Sequence, residues 1–100
     1  MGQLSVTIPH RLGQDRATAK IKELVPKLKQ EHGDQIDDVW EEWQGSSARF
    51  GFRTHGFDIT GSLKVSHTAV TIAGNLPFLA SFFSGQIEDA IRSEASKLLT

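Results

Sequence analysis

One hundred residues, 11 basic against 12 acidic side chains, four histidines and no cysteine are enough for one domain (1–100) and exclude disulfides, thiolate chemistry and cysteine-based zinc sites. A formal net charge of −1 leaves no electrostatic footprint for nucleic acid. With 38% hydrophobic and 23% charged residues the chain reads as soluble and globular, with room for one modest core.

The N-terminal "MGQLSVTIPH" has neither a basic n-region nor an apolar h-region, so no signal peptide is expected. Val6 stands where the myristoylation pattern wants Ser or Thr. No run reaches the roughly 18 apolar residues of a spanning helix.

In "QLSVTI", Leu4, Val6 and Ile8 alternate with Ser5 and Thr7, the pattern of a half-buried strand that Pro9 ends. After Gly13, "QDRATAKIKELVPKLKQEH" sets Ala17, Ile21, Leu24, Val25 and Leu28 on one helical stripe. Asp15 falls in the first turn, where the helix dipole favours an anion. Pro26 inside a helix costs about 3 kcal/mol through a lost backbone bond and a clash. It lies opposite the apolar stripe, so the spacing predicts one helix bent around the core and closed by Gly33.

From Val39 to Ala73 the period changes to two. "DVWEEWQ", "ARFGFRT", "FDITGSLKVS" and "AVTIA" read as four strands, with "GSS", "HG" and "SHT" as hairpin turns. Phe50, Phe52, Phe57, Ile59, Leu63, Val65, Val70 and Ile72 share an apolar face. Arg49, Arg53, Asp58, Thr60, Ser62, Lys64 and Thr71 make the polar one. That is an antiparallel sheet covered on one side. Trp40 and Trp43 have opposite parity, so a bulge intervenes or one of them lies outside, and Trp40 is the candidate outer-face aromatic. Gly61 on the apolar face predicts a bend or a close helix approach.

Leu79 to Leu99 reads as a helix of roughly twenty residues, longer than the mean of about 11–12. Leu79, Phe83, Ile87, Ala90, Ile91, Ala95 and Leu98 form its stripe, and Glu88 and Arg92 are spaced to pair. Ahead of it, "NLPFLASFF" places Phe78 and Phe82 at the edge of the stripe. They either fold under the open end of the sheet or stay exposed as an apolar contact for a polymer surface, an acyl chain or a second subunit. The expected fold is α+β, in the order β-α-β-β-β-β-α, a curved antiparallel sheet with two helices packed on one face.

Few residues point to chemistry. His10, His32, His55 and His67 show no metal-ligand spacing. His10 follows Pro9 at the strand-to-helix corner, where its ring would bond a neighbouring carbonyl, a structural role. Asp34, Asp37, Asp38, Glu41 and Glu42 crowd a turn and a strand start and read as solvated, not as a catalytic pair. There is no GxSxG elbow, dinucleotide fingerprint or P-loop. Arg16, Lys20, Lys22, Lys27 and Lys29 spread around the first helix as a solvated face. The phenylalanines of "RFGFR" belong to the core face, not to a base-stacking platform. No catalytic, cofactor-binding or metal-ligating residue is assigned, and no cofactor and no nucleic acid partner is expected.

The order and spacing of "IPHRLG" (8–13), the tryptophan strand ending at Trp43, "FGF" (50–52), "GFDITGSLKVSHTAVTI" (56–72) and "LPFLASFFSGQIEDAI" followed by "KLL" resemble a family of small bacterial proteins. These are the polyhydroxyalkanoic acid system, or granule-region, proteins. The resemblance spans essentially the whole chain. It implies a link to synthesis or use of a polyhydroxyalkanoate storage polymer, including residence at the granule surface, and it brings no catalytic residues with it. The expectation is a non-catalytic cytoplasmic accessory protein whose partner is the granule surface or a granule protein. Two other classes fit the same residues. One is a small acyl- or lipid-binding domain, its ligand held between the sheet and the C-terminal helix in space left by Gly61. The other is a homodimerising module using the polar sheet face or an edge strand.

Overall fold

The computed structural model describes residues 2–54, 56–76 and 84–100. Phe78 and Phe82, the candidate apolar contact, lie outside the described residues, as does His55.

Five strands form one antiparallel sheet: β1 (Gly2–Pro9), β2 (Ile36–Gln44), β3 (Ser47–Thr54), β4 (Phe57–Val65) and β5 (Ala69–Leu76), in spatial order β1-β5-β4-β3-β2. The chain lays β1 at one edge and crosses the inner face as a helical arm. It then returns as a four-strand meander, so that β5 closes on β1 with Val6 opposite Ile72. Alternation places the side chains as the sequence predicts. Leu4, Val6, Ile8, Phe50, Ile59, Leu63, Val65, Val70 and Ile72 are buried, while Ser5, Thr7, Arg49, Arg53, Asp58, Thr60, Ser62 and Thr71 are exposed. The helical arm and α3 (Ser84–Leu99) cover the inner face, completing the α+β fold.

The helical arm follows the core as expected, but it is two helices and not the single bent helix that the spacing predicts. α1 (Gln14–Ile21) and α2 (Leu24–Glu31) are joined through Lys22 and Glu23. The Glu23 N–H reaches back only three residues, to the Lys20 carbonyl at 3.1 Å, and the next helix begins with Lys27 N–H to Glu23 O at 3.0 Å. Pro26 therefore stands in the first turn of α2, where a backbone N–H has no partner in the helix. The break removes the penalty of an interior proline.

In α3, Ile87, Ile91, Ala95 and Leu99 are buried and Leu98 packs against them half-buried. Glu88 and Arg92 pair at 3.1 Å. Glu94, three residues beyond Ile91, is also turned inward and only 5% exposed. One of its oxygens accepts from Lys97 Nζ at 3.4 Å, and the other has no partner.

The β2 edge carries the departure from regular geometry. Asp37 pairs with Arg53 and Trp40 with Gly51, so three steps on β2 match two on β3. The extra residue makes a β-bulge at Asp38, whose φ of 52° is left-handed. The bulge resets the phase: Ile36 and Val39, three apart, both turn inward, and Trp40 turns outward. Trp43, on the opposite parity, is then half-buried on the inner side.

Candidate functional site

The bulge has a consequence for the interior. Where β2 is displaced, its inner face and α2 do not close on one another, and an apolar cavity of about 80 Å³ remains between α2, α3 and the β2–β3 edge. Val25 and Leu28 of α2, Ile36 and Val39 flanking the bulge, Phe50 and Phe52 of β3, and Ile87 and Ile91 of α3 form its walls. His32, Gln35 and Gln86 stand at its rim, the two glutamines exposed and the histidine half-buried. The Thr54 hydroxyl closes one end by donating to the Gln35 carbonyl at 2.8 Å.

This space is not at Gly61, where the sequence suggested room for a ligand or a close helix. A Cβ at Gly61 would meet Phe50 Cζ at 2.8 Å. The β5 backbone at Ala73 and the Phe50 ring, not a helix and not a void, fill that position. Phe50 leans over β4 there and presents its other side to the cavity.

Glu41 sits beside the cavity on the inner side of β2, opposite the inward Phe50. The expectation that it belongs to a solvated acidic cluster fails because the bulge gives it inward parity. Burial pushes its carboxyl above the ordinary value of 4.5, and a polar contact with the Trp43 indole partly offsets this. That contact falls short of full hydrogen-bond geometry, so Glu41 Oε2 and Trp43 Nε1 are both buried without a partner. Lys22 Nζ lies 5.4 Å from the Trp43 ring centroid, within cation–π range.

On the opposite face Trp40 is 41% exposed, the one large hydrophobic side chain so exposed among the described residues. Its indole lies across Gly51 and would clash with any Cβ there. The cross-strand row Trp40–Gly51–Thr60–Asn75 floors a shallow basin with Ser62, Ala73 and Ser5 beside it and Arg49 at its margin. Arg49 and Glu42 approach to 3.8 Å, and both are largely exposed. Such a pair contributes little to stability.

His10 is 8% exposed at the strand-to-helix corner. Its Nδ1 accepts from the Leu12 N–H at 3.2 Å, so Nε2 carries the proton and donates to the Ser66 carbonyl at 3.1 Å. The His10 N–H donates to Thr68 O at 2.8 Å, and Gln14 Nε2 to Val65 O at 3.0 Å. The β1–α1 corner is thus stitched to the β4–β5 turn, with Gly13 at φ 81° against the His67 ring. Both ring nitrogens of His10 are engaged by backbone, which leaves neither free for a substrate.

Among the described residues, the structure does not bring the sequence candidates His10 and Trp40 together. His10 and Trp40 lie on different faces, and neither lines the cavity. Among the described residues, no three of His, Asp and Glu gather as a metal site, and no helix is long and apolar enough to cross a membrane. Sequence reasoning offered a cavity between the sheet and the C-terminal helix but placed its room at Gly61, and it missed Glu41 and Glu94. The parity of Glu41 with Trp43 and the helical phase of Glu94 with Ile87 and Ile91 were the available signals.

The geometry defines a small α+β sandwich, a sheet with one face on two helical layers and one face open, and with an apolar cavity at the bulged edge. The chain belongs to the granule-region family described as "Putative polyhydroxyalkanoic acid system protein", whose family model matches residues 4–99. No curated protein is significantly similar to it. Among solved structures, it is similar to the crystal structure of the quaternary ammonium Rieske monooxygenase CntA in complex with its substrate L-carnitine. The TM-score is 0.50 at 10% identity, over 95% of this chain and 36% of that one. At that identity the likeness concerns the fold alone, and this chain spans little more than a third of the other.

Proposed function

We propose that this chain is a non-catalytic accessory protein of polyhydroxyalkanoate metabolism, acting in the cytoplasm at the granule surface through apolar contact. The family match over residues 4–99 carries this reading. The non-catalytic part is supported by how the titratable groups are used. The His10 ring is tied to backbone at both nitrogens, and Glu41 and Glu94 stand apart from any nucleophile-and-base pair. Phe78 and Phe82 are the proposed contact. A fluorescent fusion should concentrate on granules in polymer-accumulating cells, and F78S/F82S should become diffuse while keeping the circular dichroism of the parent. A wild-type fusion that stays diffuse in granule-filled cells overturns the proposal.

A second reading, a small acyl-binding domain, is favoured by one observation: the apolar cavity between the sheet and the C-terminal helix. It predicts saturable binding of alkyl compounds in solution, with no polymer present.

A further inference from the structure

We propose that the cavity holds the alkyl end of a short, uncharged ligand, an ester or an alcohol, and discriminates against a free carboxylate. The inference rests on the second reading above, that this space takes an acyl or alkyl group.

Size sets the chain length. An apolar cavity of about 150 Å³ stays dry and accepts benzene. The 80 Å³ here therefore has room for roughly three to four carbons by the same scale. Its walls are Val25, Ile36, Val39, Phe50, Ile87 and Ala90, which offer a bound water no hydrogen bond from their side chains. Among the described residues, none of the side-chain polar atoms buried without a partner belongs to a lining residue, so the described walls do not call for water in the space. An alkyl group fits and a polar group does not.

Charge sets the head group. The rim offers His32, Gln35 and Gln86, all able to hydrogen-bond a carbonyl or hydroxyl oxygen. None of the described lining residues is Lys or Arg, and neither Lys27 nor Lys29 of α2 reaches the lining. A carboxylate at this rim finds no Lys or Arg among the described lining residues, and drawn inward between the apolar walls it would give up water, which disfavours the charged form. An ester or hydroxyl loses far less on the same path.

The Asp38 bulge is what makes the room, since it turns both Ile36 and Val39 onto the wall. The site is therefore built by the edge strand.

The test is a titration of methyl-labelled protein with three probes of matched length: pentan-1-ol, methyl pentanoate and pentanoate. The alcohol and the ester should shift the methyl signals of Ile36, Ile87 and Ile91, with pentanoate at least tenfold weaker. Across straight-chain alcohols the affinity should rise roughly fourfold per methylene and level off once the cavity is full, beyond about three to four carbons. A90L, which fills the space from α3, should abolish binding without lowering the unfolding temperature. V39F fills it from the strand side and gives the same reading if A90L does not fold. Equal binding of pentanoate and its methyl ester overturns the head-group inference and leaves the acyl-binding reading standing. Affinity that climbs without limit through nonanol, or survives both filling variants, marks surface adsorption and overturns the site. No methyl shift with any probe overturns both the inference and the reading beneath it.

Discussion

The indole of Trp40 lies across the Cα of Gly51, its direct cross-strand partner, and occupies the space a side chain there would need. Two facts about the sheet meet in this pair. The bulge at Asp38 turns Trp40 to the open face, and only a residue without a Cβ lets the ring settle flat on the strand.

Gly51→Ala should displace the ring and destabilise the fold by about 1–3 kcal/mol, the usual cost of overpacking. Trp40 emission should shift to the red as the indole enters water. In a double-mutant cycle with Trp40→Ala, much of that cost should vanish, since the clash needs both partners. Equal costs of Gly51→Ala with and without Trp40 would show that the glycine is there for another reason.

The His10 ring ties the β1–α1 corner to the β4–β5 turn through Nε2 and the Ser66 carbonyl, while Nδ1 accepts from the Leu12 N–H within the corner. His10→Ala should lower stability by about 1–2 kcal/mol, as expected for lost bonds at a half-enclosed site. His10→Phe keeps the volume and loses the bonds. If it too is destabilised, bonding and not packing is what the corner requires. Urea midpoints at constant m-value provide the measurement.

Glu41 titrates with its carboxyl raised by burial, and the sign of its effect on stability follows. A carboxyl raised in the folded state favours folding while protonated. That contribution is fully present below the unfolded-state value near 4.5 and is lost as pH rises through the folded-state value. At pH 7 the charged form opposes folding, so Glu41→Gln should be more stable than the parent at neutral pH and no more stable at pH 3.5. Urea unfolding at the two pH values tests this. A variant less stable than the parent at pH 7 but not at pH 3.5 would mean that the carboxylate has a partner at neutral pH.

Much of this fold was legible in the sequence because period-two alternation survives intact in β1, β3, β4 and the first part of β5. Phe50, Ile59 and Val70 could be placed on the inner face from spacing alone. The bend near Pro26 was legible too, but not its form. Periodicity continues smoothly through Glu23, and only the backbone shows that a break puts the proline in a first turn where it costs nothing. The β2 edge was half legible. Opposite parity of Trp40 and Trp43 demanded a bulge between them or an outward tryptophan, and the chain takes the second: its bulge falls earlier, between Asp37 and Trp40. What parity could not supply is where the extra residue sits, because Asp37, Asp38 and Val39 each offered a place. That single uncertainty hid the inward turn of Glu41 and the place of the cavity, which are properties of strand displacement and not of residue type. Gly61 misled for a related reason: an absent side chain signals that something approaches, not what does.

Asp38 is the residue on which the cavity and the outward Trp40 both depend. It adopts φ 52°, a region that costs an ordinary L-residue roughly 1–2 kcal/mol and a glycine almost nothing. Asp38→Gly should therefore stabilise the protein by about 0.5–1 kcal/mol and leave Trp40 emission unchanged. Asp38→Val should destabilise it by about 1–3 kcal/mol, because β-branching is poorly tolerated in the left-handed region. Deleting Asp38 is the sharper experiment. It restores equal residue counts between the Asp37–Arg53 and Trp40–Gly51 pairs, so the bulge vanishes and the strand on one side of the deletion must reverse its faces. Either Ile36 leaves the core or Trp40, Glu41 and Trp43 exchange sides, and the chain should be strongly destabilised with altered tryptophan emission. A deletion variant with parental stability and emission would mean that the bulge positions neither tryptophan, and the account of the cavity given by that strand would fall with it.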